Sequence, residues 1–294
     1  MTAPLFERVT IIGFGLIGSS LGCAIRQFGL AQSVVAGDSS PEAVETIRRL
    51  GIADHATTDL AEAVAGADLV MLCTPVSTYG PILRTIAPHL RPGTILSDVG
   101  SVKGAVMSEL TAHTPTGIHL VPGHPIAGTE KSGPENGFAE LFEGRWAILT
   151  PPPDADRDAV ERVAALWRGV GSEIAEMDPL HHDMVLAITS HLPHLIAYTI
   201  VGTATDLEDS LKSEVVKYSA SGFRDFTRIA ASDPTMWRDV FLNNRDAVLD
   251  MLQRFTEDLS QLQRAIRRGE GEFLFDRFAR ARTIRRGVID AKQA

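Results

Sequence analysis

Short apolar runs alternate with amphipathic stretches over the first 177 residues of the chain. Each run is rich in aliphatic or β-branched residues and has Gly, Asp or Pro close behind it, which is typical of buried strands. The predicted strands lie at 9–12, 34–36, 69–73 and 94–97. The stretches between them have helical spacing and are predicted helices at 16–28, 41–50, 60–64 and 79–90. This alternation requires right-handed crossovers and therefore predicts a parallel sheet.

Glycine and proline, which mark turns, become much rarer after Met177. Residues 1–177 hold 20 of the 25 glycines and 13 of the 16 prolines. They also hold further predicted strands at 120–121, 146–149 and 173–177, and a predicted helix at 157–170. The triple proline at 151–153 is interpreted as a stiff turn inside this part, because a helix and a strand follow it. The sequence thus predicts an α/β domain over 1–177 and an all-α helical domain over 178–294.

The second part is predicted to consist of helices. Asp178 followed by Pro179 predicts a helix start, and an apolar stretch continues over 181–203 with Pro193 as a predicted kink or break. Apolar residues over 237–268 recur at the three- and four-residue spacing of one helix face. Eight arginines against three acids lie in 264–286, where a solvated helix face is favoured over an anion-binding surface.

Charge and composition exclude several classes of partner. The net charge is −9, and −8 of it belongs to residues 1–177, so binding to a phosphate backbone is disfavoured. Apolar runs such as 69–75 are far shorter than the roughly 18 residues of a membrane span, and no signal peptide is apparent. Cys23 and Cys73 are expected to be buried thiols of a reducing compartment, without zinc-ligand spacing. We expect a cytoplasmic protein without a metal, nucleic-acid or membrane partner.

A glycine-rich segment, GFGLIG at 13–18, fits G-x-G-x-x-G between a predicted strand and a predicted helix. Gly13 allows a tight turn, Gly15 lets the backbone approach a pyrophosphate, and Gly18 lets strand and helix pack closely. Free N–H groups and the dipole at the helix start favour the anion. This context predicts a Rossmann-type dinucleotide-binding domain. The predicted cofactor-binding residues are Gly13, Gly15, Leu16, Ile17, Gly18, Asp38 and Thr74.

Asp38 lies 20 residues beyond Gly18, at the end of the second predicted strand. A carboxylate there can accept hydrogen bonds from both ribose hydroxyls and would repel a 2′-phosphate. Ser39 and Ser40 supply no arginine for such a phosphate, so NAD is favoured over NADP. The alternative is a tight glycine turn followed by an aspartate that caps the next helix.

Hydride transfer from an alcohol needs a proton acceptor at the hydroxyl, and histidine suits this role near neutral pH. Local context favours surface or structural roles for His55, His89, His113, His119, His181 and His182. His124 differs, because glycines flank it in a predicted loop after the strand at 120–121. The carboxyl edge of a parallel sheet is where ligands bind, so His124 is the favoured candidate.

Four segments resemble the prephenate/arogenate (cyclohexadienyl) dehydrogenases of tyrosine biosynthesis. They are DVGSVK at 98–103, GHPIAGTEKSG at 123–133, SHLPH at 190–194 and GFRDFTRIAASDPTMW at 222–237. The resemblance runs from the glycine loop to about Asn244, and the joint pattern is highly specific. The last 50 residues share only the helical character of the family.

The resemblance implies both a reaction and the residues that carry it. Members of the family transfer hydride from C4 of a cyclohexadienyl ring to a nicotinamide while the ring carboxylate leaves as CO2, and aromatisation drives the reaction. His124 matches the catalytic histidine at the C4 hydroxyl, and Ser101 matches a serine that helps to orient it. Arg228 matches an arginine that grips a substrate carboxylate, a task suited to the guanidinium fork. His194 and Trp237 match residues that shape the substrate pocket from the helical domain. Asp225 is expected to orient its neighbours, and Glu130 to join a polar network at the entrance.

Each matched residue also has an alternative role on local sequence. Ser101 could cap the helix that follows it. Arg228 could pair with Asp225 three residues earlier on one helix. His194 and Trp237 could be ordinary core residues.

The predicted function is NAD-dependent oxidative decarboxylation of prephenate to 4-hydroxyphenylpyruvate by a homodimer. Arogenate, or both substrates, is the alternative. More remote alternatives are another two-domain NAD oxidoreductase acting on a β-hydroxy or imino acid, and a non-catalytic NAD-binding protein.

Overall fold

A six-stranded parallel sheet forms the centre of the N-terminal part, with strand order β3-β2-β1-β4-β5-β6. The computed structural model describes residues 3–129, 131–205, 217 and 220–290. The strands of this sheet are β1 (Phe6–Ile12), β2 (Ala31–Gly37), β3 (His55–Thr57), β4 (Leu69–Leu72), β5 (Ile95–Asp98) and β6 (His119–Leu120). The helices of this part are α1 (Leu16–Gln27), α2 (Pro41–Leu50), α3 (Leu60–Val64), α4 (Tyr79–Ile86), α5 (Lys103–His113) and α6 (Arg157–Gly169). The predicted α/β fold with a parallel sheet is confirmed.

Both faces of the sheet are buried, and β4 shows how. Leu69 and Met71 belong to the core cluster that includes α1 and α6, whereas Val70 and Leu72 belong to the cluster that includes α4 and α5. Successive strand residues point to opposite faces, so a continuous apolar run covers both. Helices on both faces explain why these strands lack an apolar–polar alternation.

A second, three-stranded sheet contains β7 (Gly123–Pro125), β8 (Trp146–Leu149) and β9 (Glu173–Glu176). β7 is antiparallel to β8, and β8 is parallel to β9. The expectation that His124 lies in a loop was therefore wrong. His124 lies in β7 opposite Ile148. Its neighbours Gly123 and Pro125 also pair with β8, so the segment is a short strand despite its glycine and proline.

The C-terminal part is helical, as predicted. Its helices are α7 (Pro179–Leu186), α8 (Leu192–Thr205), α9 (Ser221–Thr227), α10 (Pro234–Asn243), α11 (Arg245–Arg268) and α12 (Gly271–Asp290). The stretch 237–268 is not one helix, because the chain leaves helical geometry at Asn244 (φ −106°, ψ 33°). Among the described residues, one helical stretch, Pro179–Ala204, is long and apolar enough to cross a membrane, a test that core helices also pass.

At Pro193, where the sequence predicts a kink or a break, the helix does not end. A π turn over Ala187–His191 joins α7 to α8, and the N–H of Leu192 donates to the carbonyl of Ala187, five residues earlier. Proline lacks an N–H and clashes with the fourth carbonyl before it in a regular helix. The wider turn accommodates Pro193 without ending the helix, and such turns are frequent at functional sites.

The chain forms two compact units, Met1–Arg245 and Asp246–Ala294. The domain boundary predicted from composition, between Met177 and Asp178, falls where β9 gives way to α7. It stays a prediction.

Candidate active site

Loops that follow β1, β2 and β4 meet at the carboxyl edge of the large sheet. Gly13 follows β1 with φ of 92°, in the left-handed region that favours glycine. Thr74 follows β4, and its Cγ2 would lie only 2.6 Å from a Cβ at position 13. β1 lies between β2 and β4, where the strand order reverses direction. Open parallel sheets bind their ligands at this switch point.

Asp38 holds the glycine loop in place from the end of β2. Its Oδ2 accepts the N–H of Phe14 at 2.9 Å, and its Oδ1 accepts the N–H of Ser40 at 3.0 Å. The alternative in which Asp38 caps the next helix is wrong. The hydroxyl of Ser40 caps α2 by accepting the N–H of Ala43 at 3.1 Å.

The start of α1 has the features of an anion site. Gly15 is the N-cap, no side chain caps it, and the first turn holds no acidic residue. A Cβ at position 15 would meet no atom within 4 Å, so the space at the helix start is open. Leu16 and Ile17 stand in the first turn, whose N–H groups have no partner within the helix. These residues fit a diphosphate held by the backbone.

A buried ion pair fixes the backbone next to His124. The Nζ of Lys103 donates to Oδ2 of Asp98 at 2.6 Å and to the carbonyl of Gly123 at 2.7 Å. The N–H of Gly123 donates in turn to Oδ1 of Asp98 at 3.2 Å. Both charged side chains are fully buried. β7 is thereby tied to the end of β5 and the start of α5.

His124 begins a chain of polar groups that runs into the helical part. Its Nδ1 lies 2.8 Å from Nε2 of His182, and Nδ1 of His182 lies 2.9 Å from Oδ1 of Asp183. Oδ1 and Oδ2 of Asp183 also accept the N–H groups of Lys103 and Gly104 at 2.7 and 2.8 Å. Asp183 therefore caps α5 from another helix.

The environment keeps both histidine rings neutral. The pKa of His124 lies well below its usual value, first because of burial and then because its protonated ring would be repelled by a proton on His182, by Lys103 and by a proton on His191. Burial also lowers the pKa of His182, although the Asp183 carboxylate opposes this shift. His124 retains some exposed surface, whereas His182 has none. A neutral ring with one unprotonated nitrogen can accept a proton from a bound ligand.

Ser101 does not cap α5. The helix begins at Lys103 after Val102, and Asp183 supplies its capping oxygens. Within the part of the chain that the structure describes, the Ser101 hydroxyl forms no hydrogen bond. Ser101 is half-buried and lies between Asp98 and Lys103 in the sequence. The ion pair of these two residues also fixes the backbone before His124.

Three of the predicted substrate residues lie in one region. Trp237 stacks on His194 with ring centroids 3.5 Å apart and an interplanar angle of 22°. The Nδ1 of His194 donates to the carbonyl of Ser190 at 2.9 Å, which leaves its Nε2 available as an acceptor. The pKa of His194 is lowered, mainly by burial and further by the positive charge of Arg228.

Asp225 lies on the short helix α9, three residues before Arg228. Both Asp225 and Arg228 are described and exposed, and they form no ion pair with each other. The alternative in which Asp225 pairs with Arg228 is therefore wrong. Glu130 lies outside the described residues.

The structure adds His182, Asp183 and the Asp98–Lys103 pair to the residues singled out by sequence. His182 was expected to be partly exposed at a helix start, but it is fully buried and contacts His124. The available signal was Lys103, which directly follows the apolar Val102 and lies five residues after the end of β5. Lysine is almost never fully buried unless it is paired, so a buried lysine at this position requires an acidic partner such as Asp98.

A parallel sheet of this order, with a glycine loop after β1 and a carboxylate after β2, defines the class of Rossmann-type nucleotide-binding enzymes. Within that class, the chain belongs to the prephenate dehydrogenase family. Models of the nucleotide-binding and dimerization domains of that family match residues 21–176 and 178–280.

Individual relatives agree with this assignment. The chain is 41% identical over 281 residues to a cyclohexadienyl dehydrogenase of Zymomonas mobilis, covering 96% of each protein. It is 33% identical to a prephenate dehydrogenase of Bacillus subtilis, covering 96% of this chain and 76% of that protein. A crystal structure of Aquifex aeolicus prephenate dehydrogenase with hydroxyphenyl propionate and NAD+ is 35% identical, with a TM-score of 0.89 and coverage of 96% and 98%. The chain is thus an oxidoreductase of a family that acts in aromatic amino acid biosynthesis.

Proposed function

We propose that this protein oxidises and decarboxylates prephenate to 4-hydroxyphenylpyruvate, with NAD as the cofactor. The observation that carries this proposal is the state of His124. Its ring is neutral and partly exposed, and its Nδ1 is engaged by His182 at 2.8 Å, so its Nε2 is left for a ligand. A proton acceptor in this position suits the hydroxyl of an alcohol that becomes a carbonyl.

The residues at the switch point fit NAD. The open first turn of α1 would hold the diphosphate, with Gly15 giving it close approach. Asp38 would accept hydrogen bonds from the ribose hydroxyls, and neither Ser39 nor Ser40 offers a cation for a 2′-phosphate. When bound, NAD supplies the oxidised nicotinamide that accepts hydride from C4 of the substrate.

The protein residues then have distinct tasks. His124 takes the proton of the C4 hydroxyl at Nε2, and Ser101 donates or accepts a hydrogen bond beside it. Arg228 binds a substrate carboxylate with its guanidinium group. His194 and Trp237, stacked on each other, form a wall of the substrate pocket. Asp225 is proposed to orient its neighbours, and Glu130 to join a polar network at the entrance.

Alanine substitutions at Gly15 and Gly18 should change different quantities, NAD binding at the first and the free energy of unfolding at the second. A Cβ at Gly15 would meet nothing within 4 Å, so Gly15→Ala should leave the free energy of unfolding unchanged and weaken NAD binding. A Cβ at Gly18 would lie 2.0 Å from the carbonyl oxygen of Gly13, so Gly18→Ala should cost about 1–3 kcal/mol. Urea denaturation and NAD titration measure the two quantities. Normal NAD affinity in Gly15→Ala would remove this loop from the cofactor site.

Replacement of Arg228 by alanine should raise KM for prephenate by about 10- to 100-fold, since hydrogen bonds to charged groups are worth roughly 1.5–3 kcal/mol. We expect kcat to change much less. Arg224→Ala is the matched control, because Arg224 is exposed on α9 only four residues earlier. Initial-rate kinetics give both parameters. An unchanged KM in Arg228→Ala would remove this residue from carboxylate binding.

Paired kinetics test the substrate and cofactor together. Prephenate and arogenate are each assayed with NAD and with NADP, and we expect the highest kcat/KM with prephenate and NAD. Arogenate stays the second candidate, because an arogenate dehydrogenase structure from Synechocystis is 26% identical, with a TM-score of 0.81. A higher kcat/KM with arogenate would contradict prephenate as the preferred substrate. NAD binding without turnover of either compound would contradict the proposed enzymatic function.

We further propose that the protein is a cytoplasmic homodimer that associates through its helical part, 178–294. A dimerization-domain match over 178–280 supports this. Within the unit Asp246–Ala294, Ile266 and Phe275 are 67% and 72% exposed, which is costly for apolar side chains in water. Light scattering measures the mass directly.

A further inference from the structure

We infer that Asp183 and His182 are positioning residues that set the tautomer of His124 and receive the positive charge it acquires. This inference rests on the proposed function for its chemistry, but its geometry is independent of the substrate. Neither residue was assigned a role by sequence.

The proton positions follow from the hydrogen-bond partners. A carboxylate only accepts, so the 2.9 Å contact between Asp183 and Nδ1 of His182 requires a proton on that nitrogen. A neutral His182 then has an unprotonated Nε2. The 2.8 Å contact to His124 therefore requires the proton to lie on Nδ1 of His124. The remaining nitrogen of His124, Nε2, is the acceptor that the reaction needs.

The Asp183 carboxylate is itself fixed. Its two oxygens accept the N–H groups of Lys103 and Gly104 at 2.7 and 2.8 Å, at the N-terminus of α5. The partial positive charge of a helix N-terminus favours an anion there. The carbonyl of Asp183 also accepts Nδ2 of Asn244 at 2.9 Å. The side chain consequently has little freedom to leave His182.

Surrounding charges favour the proton on His182 rather than on His124. Burial disfavours protonation of His124, and so do Lys103 and any proton on His182 or His191. His182 faces the carboxylates of Asp183 and Asp98, which favour its protonated form, as well as Lys103, which does not. The pKa values of both rings are lowered by burial, so this difference in neighbours decides where a shared proton resides.

The proton transfer balances in two coupled steps. The O–H bond of the substrate breaks and an N–H bond forms at Nε2 of His124. The N–H bond at Nδ1 of His124 then breaks and one forms at Nε2 of His182. The positive charge ends on His182, next to the Asp183 carboxylate. Reversal of the second step returns the proton to His124, whose ring is partly exposed, and from there it leaves to solvent.

Substitutions at position 182 test the role of the acceptor. His182→Leu removes it and leaves Asp183 to cap α5, so the protein should fold, bind NAD normally and lose at least about tenfold in kcat. His182→Gln offers a carbonyl oxygen to His124 and should recover part of kcat. The control is His181→Gln, because His181 is exposed one residue away. Wild-type kcat in His182→Leu would overturn the inference.

Asp183→Asn should lower kcat by about 10²–10⁴-fold at unchanged KM, the effect of a wrong histidine tautomer in enzymes that orient histidine with a buried carboxylate. Asp178→Asn is the control, since Asp178 caps α7 without contacting a histidine ring. A kcat in Asp183→Asn equal to that of Asp178→Asn would overturn the inference.

Nitrogen-15 NMR of histidine-labelled protein reads the tautomer without substrate. The signals of His124 are assigned by their loss in His124→Asn. We expect the proton on Nδ1 in the wild type and a mixed or reversed tautomer in His182→Leu. A proton on Nε2 of His124 in the wild type would overturn the inference. Failure of the proposed function would appear separately, as absent turnover by the wild type on either substrate.

Discussion

Replacement of His124 by asparagine is expected to lower kcat for prephenate by about 10²–10⁴-fold, the contribution of a positioned general base. Asparagine has similar polarity and reach, but its amide cannot take a proton near neutral pH. NAD affinity should not change, because the residues proposed to hold it lie in the glycine loop and at Asp38. Steady-state kinetics and NAD titration measure both quantities.

The matched control is His89→Asn, since His89 is an exposed histidine outside the site. We expect this variant to retain wild-type kinetics. Near-normal turnover by His124→Asn would show that another group accepts the proton. A loss of both turnover and NAD affinity would instead indicate a general disturbance of the site.

The decline of wild-type kcat/KM at acidic pH should reflect protonation of His124. A base must be unprotonated to act, and the pKa of His124 lies well below the usual 6.5. The value of kcat/KM should therefore stay constant as pH falls through 6.5 and decline only at a more acidic pH. A decline centred at or above 6.5 would contradict the neutral, buried environment derived for His124.

Local sequence was sufficient for most of the fold. Ser40 with Pro41 and Asp178 with Pro179 mark helix starts through their own side chains, and the structure has both caps. The short edge strand β3 was missed, because its three residues, His55–Thr57, contain one apolar side chain and no repeat. β7 was missed for a similar reason, since Gly and Pro dominate it.

The candidate site was less accessible to sequence reasoning. The contact between His124 and His182 joins residues 58 positions apart, and nothing near His182 signals that it is buried. Its neighbour Asp183 caps a helix that starts 80 residues earlier. Such contacts follow from the way the helical part meets the sheet, which no local pattern encodes. The resemblance identified His124 and matched Ser101 to a serine that helps to orient it, but it did not indicate His182 or Asp183.

The Asp98–Lys103 pair gives the largest expected effect on stability. Lys103→Met should lower the free energy of unfolding by about 3–5 kcal/mol, because it leaves a buried carboxylate without its counter-charge. Asp98 would keep the N–H of Gly100 at 2.7 Å and the hydroxyl of Tyr79 at 3.1 Å, which are neutral donors. The carbonyl of Gly123 would also lose its 2.7 Å partner. Urea denaturation measures the change.

Two further variants separate burial from pairing. Arg157→Met breaks the exposed pair with Glu176, whose two contacts are both 2.9 Å, and should cost no more than about 1 kcal/mol. The double variant Asp98→Asn with Lys103→Met removes both buried charges, so it should be more stable than Lys103→Met alone. If Lys103→Met lowers the free energy of unfolding no more than Arg157→Met does, then the buried pair does not stabilise this site. A destabilised Lys103→Met that keeps wild-type kcat while folded would show that the pair supports the fold without positioning His124.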